Sequence, residues 1–257
     1  MSAQGNSPEK PDSAVGVRIS RWALSMSRHW LRWLLLVLGI YVALPFIAPT
    51  LMHFGLTGPG RAIYTVYSPM CHQFAFRSFF LYGEQPVYPR ASANVPGLKP
   101  FEAYTADINA TEGTAVDLTQ WGADLEFLSR DFVGTPRMGY KIAICERDIS
   151  IYGMMFIAGL IFSIPFIRSH LRPVPLWLYV LLGLMPIGID GFSQLLGYPP
   201  FSLWLPRETT PFFRVLTGAT FGLMNAWLAF PYLEETAHQA AVELQEKFAR
   251  RAARQKL

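Results

Sequence analysis

The stretch VPLWLYVLLGLMPIGIDGFSQLLG, residues 174–197, contains one charged side chain, Asp190. A helix needs about 20 consecutive apolar residues to cross a bilayer core, so this stretch reads as a membrane span. Three further runs of similar length carry no charge: Trp33 to Met52, Ile149 to Ile167 and Val215 to Leu233. With 51% hydrophobic and 16% charged residues in 257, the composition also fits membrane residence rather than a soluble domain. The expected fold is an all-α integral membrane protein with four transmembrane helices. About thirty largely polar residues precede the first run, which argues against a cleaved signal peptide there.

Basic residues next to short spans stay on the cytoplasmic side. Arg18, Arg21, Arg28 and Arg32 precede the first run, Arg168 and Arg172 separate the second from the third, and Lys247, Arg250, Arg251, Arg254 and Lys256 follow the fourth. These three segments belong on one side, and an even number of spans requires the same of the termini. The expectation is a multi-pass cell-membrane protein with both termini cytoplasmic. Residues 1–29 are expected to pass from disorder, up to about Val17, to an interfacial segment. Residues 30–233 form the four-span domain, with an extracytosolic insert at 88–141, and 234–257 form a basic helical tail in the cytoplasm. Pro45 and Pro49 each free a carbonyl in the first span, which a neighbour must cover. The net charge of +4 reflects these flanks, with no basic and aromatic interleaving of the kind that binds nucleic acid.

This topology gathers polar residues at one depth on the outer side. The segment CHQFAFRSFFLYG, residues 71–83, supplies Cys71, His72, Arg77 and Ser78. CERD, residues 145–148, supplies Cys145, Arg147 and Asp148 at the head of the second span. Asp190 lies roughly 22 Å from the inner end of its span at 1.5 Å per residue, and Gln194 shares its face one turn on. Arg207, Glu208 and Arg214 follow in the loop and at the head of the fourth span. Burying a carboxylate in a span costs about 2.5–3.5 kcal/mol on insertion scales unless it is paired. Asp190 therefore needs a partner, expected to be Arg214 with Gln194 bridging. Each arginine taken alone is as well explained by snorkelling at the interface. Gly218 and Gly222 have the spacing of close helix packing.

Cys71 and Cys145 admit two readings. In an oxidising compartment they pair as a structural disulfide. With His72 and Asp148 they instead supply two thiolates, an imidazole and a carboxylate, a set that tetrahedral zinc accepts. Thiol–disulfide exchange is disfavoured, because it needs a resolving thiol and an onward dithiol that two cysteines do not provide.

Four ordered motifs, CHQFAFRSFFLYG, ICERDISIYG, IDGFSQLLG and RETTPFFRVLTG, resemble an uncharacterised prokaryotic membrane-protein family, bacterial or archaeal, grouped as domain of unknown function 2085. The resemblance implies membrane residence and no particular activity. In that family a second cysteine stands where this chain has Asp148, and the insert separates motifs that adjoin there.

Two functions from different classes follow as expectations. In the first, zinc held by Cys71, His72, Cys145 and Asp148 activates water against a lipid-borne or extracytosolic ester or phosphate. Asp190, Glu208 and Arg214 form the catalytic set there, either carboxylate serving as base, and Arg77, Ser78, Arg147, Gln194 and Arg207 hold substrate. In the second, the protein is not an enzyme. Its outer network binds a lipid headgroup or a membrane-protein partner, and the cysteines form a disulfide.

Overall fold

A computed structural model describes residues 14–254. The expected disorder before residue 14 and the last three residues of the tail lie outside them. From Ala14 the chain is already helical: α1 (Ala14–His53) runs through the segment expected to be interfacial into the first apolar run, with a non-helical residue at His29 between them. The carbonyls freed by the two prolines are both covered. Pro45 frees the Tyr41 carbonyl, which accepts the Tyr67 hydroxyl at 2.9 Å, and Pro49 frees the Pro45 carbonyl, which accepts the Ala143 N–H at 3.3 Å. α2 (Thr57–Tyr67) supplies the first donor by folding back along α1, with Gly60 against Met52 and Ala48.

The second apolar run forms α5 (Glu146–Phe162), which stops at Ser163 and resumes as α6 (Pro165–His170), where proline takes the first helical position. The third run is a helix of changing pitch: α7 (Leu176–Leu178), a π segment (Tyr179–Leu184) and α8 (Met185–Leu195). In a regular α-helix the Pro186 ring would crowd the Leu182 carbonyl, and the widened turn relieves that clash. The fourth run and the tail form one helix, α9 (Pro211–Arg254).

Two of these elements are long and apolar enough to cross a membrane, residues 15–53 of α1 and Leu176–Leu195. α5 has 17 residues, at the lower limit of a span, and Thr217, Thr220 and Asn225 dilute the apolar part of α9. α9 packs along α5 through Gly218 and Gly222. A Cβ on Gly218 would stand 2.7 Å from the Arg147 carbonyl oxygen, and one on Gly222 would collide with the Ile151 carbonyl.

The insert has its own core, in which Phe76 and Phe80 meet Tyr88, Phe101, Tyr104, Ile108, Leu118, Leu125, Phe132 and Met138. Two short helices, α3 (Thr105–Glu112) and α4 (Ala123–Asp131), cover it. The fold is mostly helical but not all-α. A three-stranded antiparallel sheet in the order β1 (Phe80–Leu81), β3 (Gly139–Lys141), β2 (Gly134–Thr135) closes the insert, with Phe80 opposite Lys141 and Thr135 opposite Gly139. Lys141 is fully buried, and its ammonium donates to the carbonyls of Gln73 (2.7 Å), Ser129 (3.2 Å) and Arg130 (2.6 Å). Burial pushes its pKa down to about 7. One side chain thus ties the 71–74 loop to α4.

Candidate functional site

Five segments meet where the insert joins the helices. α8 presents Asp190 and Gln194 from one face, both buried. Asp190 accepts from Arg147 on α5, from Thr209, from Gln194 Nε2 at 3.2 Å and from Arg207 at 3.4 Å. The direct partner is therefore Arg147 rather than the expected Arg214. Gln194 does bridge: its Oε1 accepts from Arg214 at 3.4 Å while its Nε2 reaches Asp190.

Arg214 turns instead to Glu208, whose carboxylate is the second centre. Arg77 holds it at 2.6 and 3.3 Å through two nitrogens, the Tyr198 hydroxyl donates at 2.8 Å, and Arg214 Nη2 closes the set. The Glu208 side chain is 1% exposed. Burial alone would raise its pKa, but Arg77 and Arg214 outweigh burial and hold it below the usual carboxylate range. Glu146, also buried, lies 4.0 Å from Arg214, and its Oε2 has no hydrogen-bond partner. Trp121 of the insert stacks on Tyr198 at 3.8 Å, and its ring centroid lies 5.9 Å from the Arg77 guanidinium carbon.

Cys71, Cys145 and Asp148 form the third group, with one donor atom from each lying within 4.8 Å of the others. Cys145 occupies the N-cap of α5, which brings Asp148 back one turn beside it. The cysteines are free thiols, contrary to the disulfide reading, and the Cys145 and Gln73 N–H groups donate to Cys71 Sγ at 3.3 and 3.4 Å. The Cys71 thiol is pushed far above its ordinary range by hydrogen bonding with Cys145, by burial and by the nearby negative charges of Cys145 and Asp148. A cation among the three would reverse that repulsion, so the donor set fits a metal that accepts sulfur and oxygen. His72 lies outside the group, with its ring 5.4 Å from that of Phe74.

Residues of all three groups border one cavity of about 240 Å³, whose lining includes Cys71, His72, Cys145 and Asp148 together with Arg77, Arg147, Arg214 and Gln194. Asp190 and Glu208 bond these arginines but are not among the residues that line it. Arg207 is half exposed and also off the lining, and Ser78 is fully buried with its hydroxyl on the Phe74 carbonyl. Sequence reasoning did not single out Glu146, Tyr198 or Trp121. Glu146 adjoins a candidate ligand and Tyr198 directly follows IDGFSQLLG, so position was the available signal for both. Trp121, deep in the insert, gave none.

Residues 137–228 match the family described as a predicted membrane protein, domain of unknown function 2085. The matched region contains Cys145, Asp148, Asp190, Glu208 and Arg214, and it begins after Cys71 and Arg77. An uncharacterized protein of Methanocaldococcus jannaschii, MJ1492, is 22% identical over 220 residues, 83% of this chain and 98% of that protein. No solved structure matches significantly.

Proposed function

From a family relationship that names a membrane protein and no activity, we propose a four-span protein with cytoplasmic termini whose extracytosolic end binds a divalent metal, zinc, next to a small anion. Support for four spans comes from the outward faces of all four long helices. Leu36, Val37 and Ile40 on α1, Ile157, Leu160 and Ile161 on α5, Val180, Leu181 and Ile189 on the third, and Phe213, Leu216 and Leu223 on α9 are all exposed. Apolar surface this extensive is what lipid covers. A reporter fused near Asp117 is expected to read as extracytosolic. A cytoplasmic signal there would reverse the orientation.

The observation that carries the metal reading is the meeting of two thiols and a carboxylate on a cavity that three arginines also line. Three protein ligands with a position open to a cavity is the arrangement of catalytic rather than structural zinc. Such an ion would supply Lewis acidity toward a bound oxygen. Arg77, Arg147 and Arg214 would hold an ester or phosphate anion, with charge-assisted bonds fixing its orientation. Asp190 and Glu208 then act as positioning residues, because each is saturated by arginine and neither reaches the cavity. A substrate brought by a lipid or from the extracytosolic medium fits, provided the reacting end is no larger than a phosphate or carboxylate.

Elemental analysis of the detergent-purified protein is expected to find about one zinc per chain. Cys145→Ser and Asp148→Asn should each weaken retention at least as much as the roughly 10–100-fold lost with an outer-shell partner. Absence of stoichiometric metal from the wild type would sink the reading. The runner-up is a non-enzymatic receptor for an anionic headgroup or partner, favoured by the same arginine wall. It predicts thermal stabilisation by inorganic phosphate in metal-free protein.

A further inference from the structure

A second cavity, of about 350 Å³, lies at the opposite end of the helices from the insert, between α1 and the break separating α5 from α6. Its polar lining is Arg28, His29, Arg32, Ser163 and Arg168, with Leu35 beneath. The helical path of α1 breaks at His29, between the two α1 arginines. Arg28 and Arg32, one on each side of that break, both line the cavity, so like charges converge on it. Among the described residues neither Arg28 nor Arg32 has an ion-pair partner, and Arg28 lies 2.6 and 3.2 Å from the neutral Gln245 amide, which accepts from it once its oxygen is turned inward. Arg168 bonds Glu234 at 2.5 Å, and that same carboxylate oxygen also accepts from Trp30 at 2.7 Å. Its remaining Nε is buried without a partner. Three guanidiniums thus meet at this cavity and one carboxylate pairs with them, which leaves the site positively charged.

Retention of arginines on the cytoplasmic side explains their presence in these segments but not their convergence from two elements onto one concavity. The lipid-facing rim supplies the other half of the argument. Leu36 and Val37 on α1 and Ile164 and Phe166 beside Ser163 are exposed apolar side chains. A ligand matching both parts has an anionic head and hydrocarbon tails. We infer that this cavity binds the phosphoryl headgroup of an anionic phospholipid, its acyl chains running along α1 and α6. Phosphate oxygens would accept from Arg28, Arg32 and the spare nitrogen of Arg168. The inference is independent of the metal site. Its assignment to the cytoplasmic leaflet rests on the orientation proposed above, which the reporter tests separately.

The experiment is native mass spectrometry of the full chain released from detergent containing equimolar dioleoylphosphatidylglycerol and dioleoylphosphatidylcholine. The wild type should retain one phosphatidylglycerol in preference to phosphatidylcholine by roughly 10-fold or more, and Arg28→Gln with Arg32→Gln should remove that preference. Arg18→Gln with Arg21→Gln, on the same segment but outside the cavity, should leave it unchanged. Arg28→Lys with Arg32→Lys guards against misfolding, since it keeps the charge and should keep most of the preference. Equal retention of the two lipids, or a preference that survives the glutamine pair, would overturn the proposal. Displacement of phosphatidylglycerol by millimolar inorganic phosphate would overturn the lipid assignment in favour of a soluble anion.

Discussion

Gly222→Ala is expected to prevent the membrane body from assembling, whereas Gly153→Ala should leave it intact or slightly more stable. Both are helical glycines, so replacement by alanine offers each helix a similar gain of about 0.5–1 kcal/mol. They differ in what the new methyl meets. On Gly222 it collides with the backbone of Ile151, whose α-carbon lies 3.0 Å from the added atom, and backbone cannot rotate away as a side chain can. On Gly153 nothing lies within 4 Å. Relieving the clash means separating α9 from α5 along the contact that also carries Gly218. Overpacking of well-filled interiors typically costs about 1–3 kcal/mol, and a clash with backbone belongs at or above the top of that range. Expression and thermal unfolding in detergent would read the difference. A Gly222→Ala protein as stable as the Gly153→Ala protein would mean that α5 and α9 do not meet through these glycines.

Glu208→Gln should cost about 3–5 kcal/mol, the usual penalty for leaving a buried charge without its partner, because the one change strands both Arg77 and Arg214. Arg207→Gln should cost no more than about 1 kcal/mol, since Arg207 is half exposed and reaches Asp190 only at 3.4 Å. The same carboxylate sets a dependence on pH. The folded-state pKa of Glu208 is depressed, so its stabilisation is complete above the unfolded carboxylate pKa and is lost as pH falls through the folded value. Acid unfolding monitored in both proteins should show this loss in the wild type and a flatter profile in Glu208→Gln. Equal stability of the two at neutral pH would remove Glu208 from the centre of the network.

The helices formed by the four apolar runs were legible because sustained hydropathy survives in a linear sequence, although only two of them are long and apolar enough to cross a membrane. The sheet was not legible. Its strands are two or three residues long, too short for any alternation to register, and β1 pairs with a strand some sixty residues away. The site divides along the same line. Asp190 and Gln194 share a helical face by spacing alone, and Cys145 and Asp148 adjoin one turn of one helix. The partner of Asp190 could not be read, since choosing between Arg147 and Arg214 requires knowing which helices are neighbours, and hydropathy carries no such order. Tyr198 and Trp121 came into the site by the docking of a loop on an insert, a contact without local signature.

The chain leaves the membrane body at Phe80–Leu81 and returns at Gly139–Lys141, on adjacent strands, with Gly83 packed directly on Met138 and Gly139. The family match begins at residue 137, where the chain comes back. Nearly sixty residues thus lie between two points that stand side by side, so the path of the helices does not depend on their number. A change in the length of such a segment is therefore a local change in the fold. Its removal would not be equally neutral, because Phe76 and Phe80 sit in the insert's core and Trp121 leans on Tyr198. A segment tied to the helices at two adjacent points is thus also the cover over the Tyr198 side of the site.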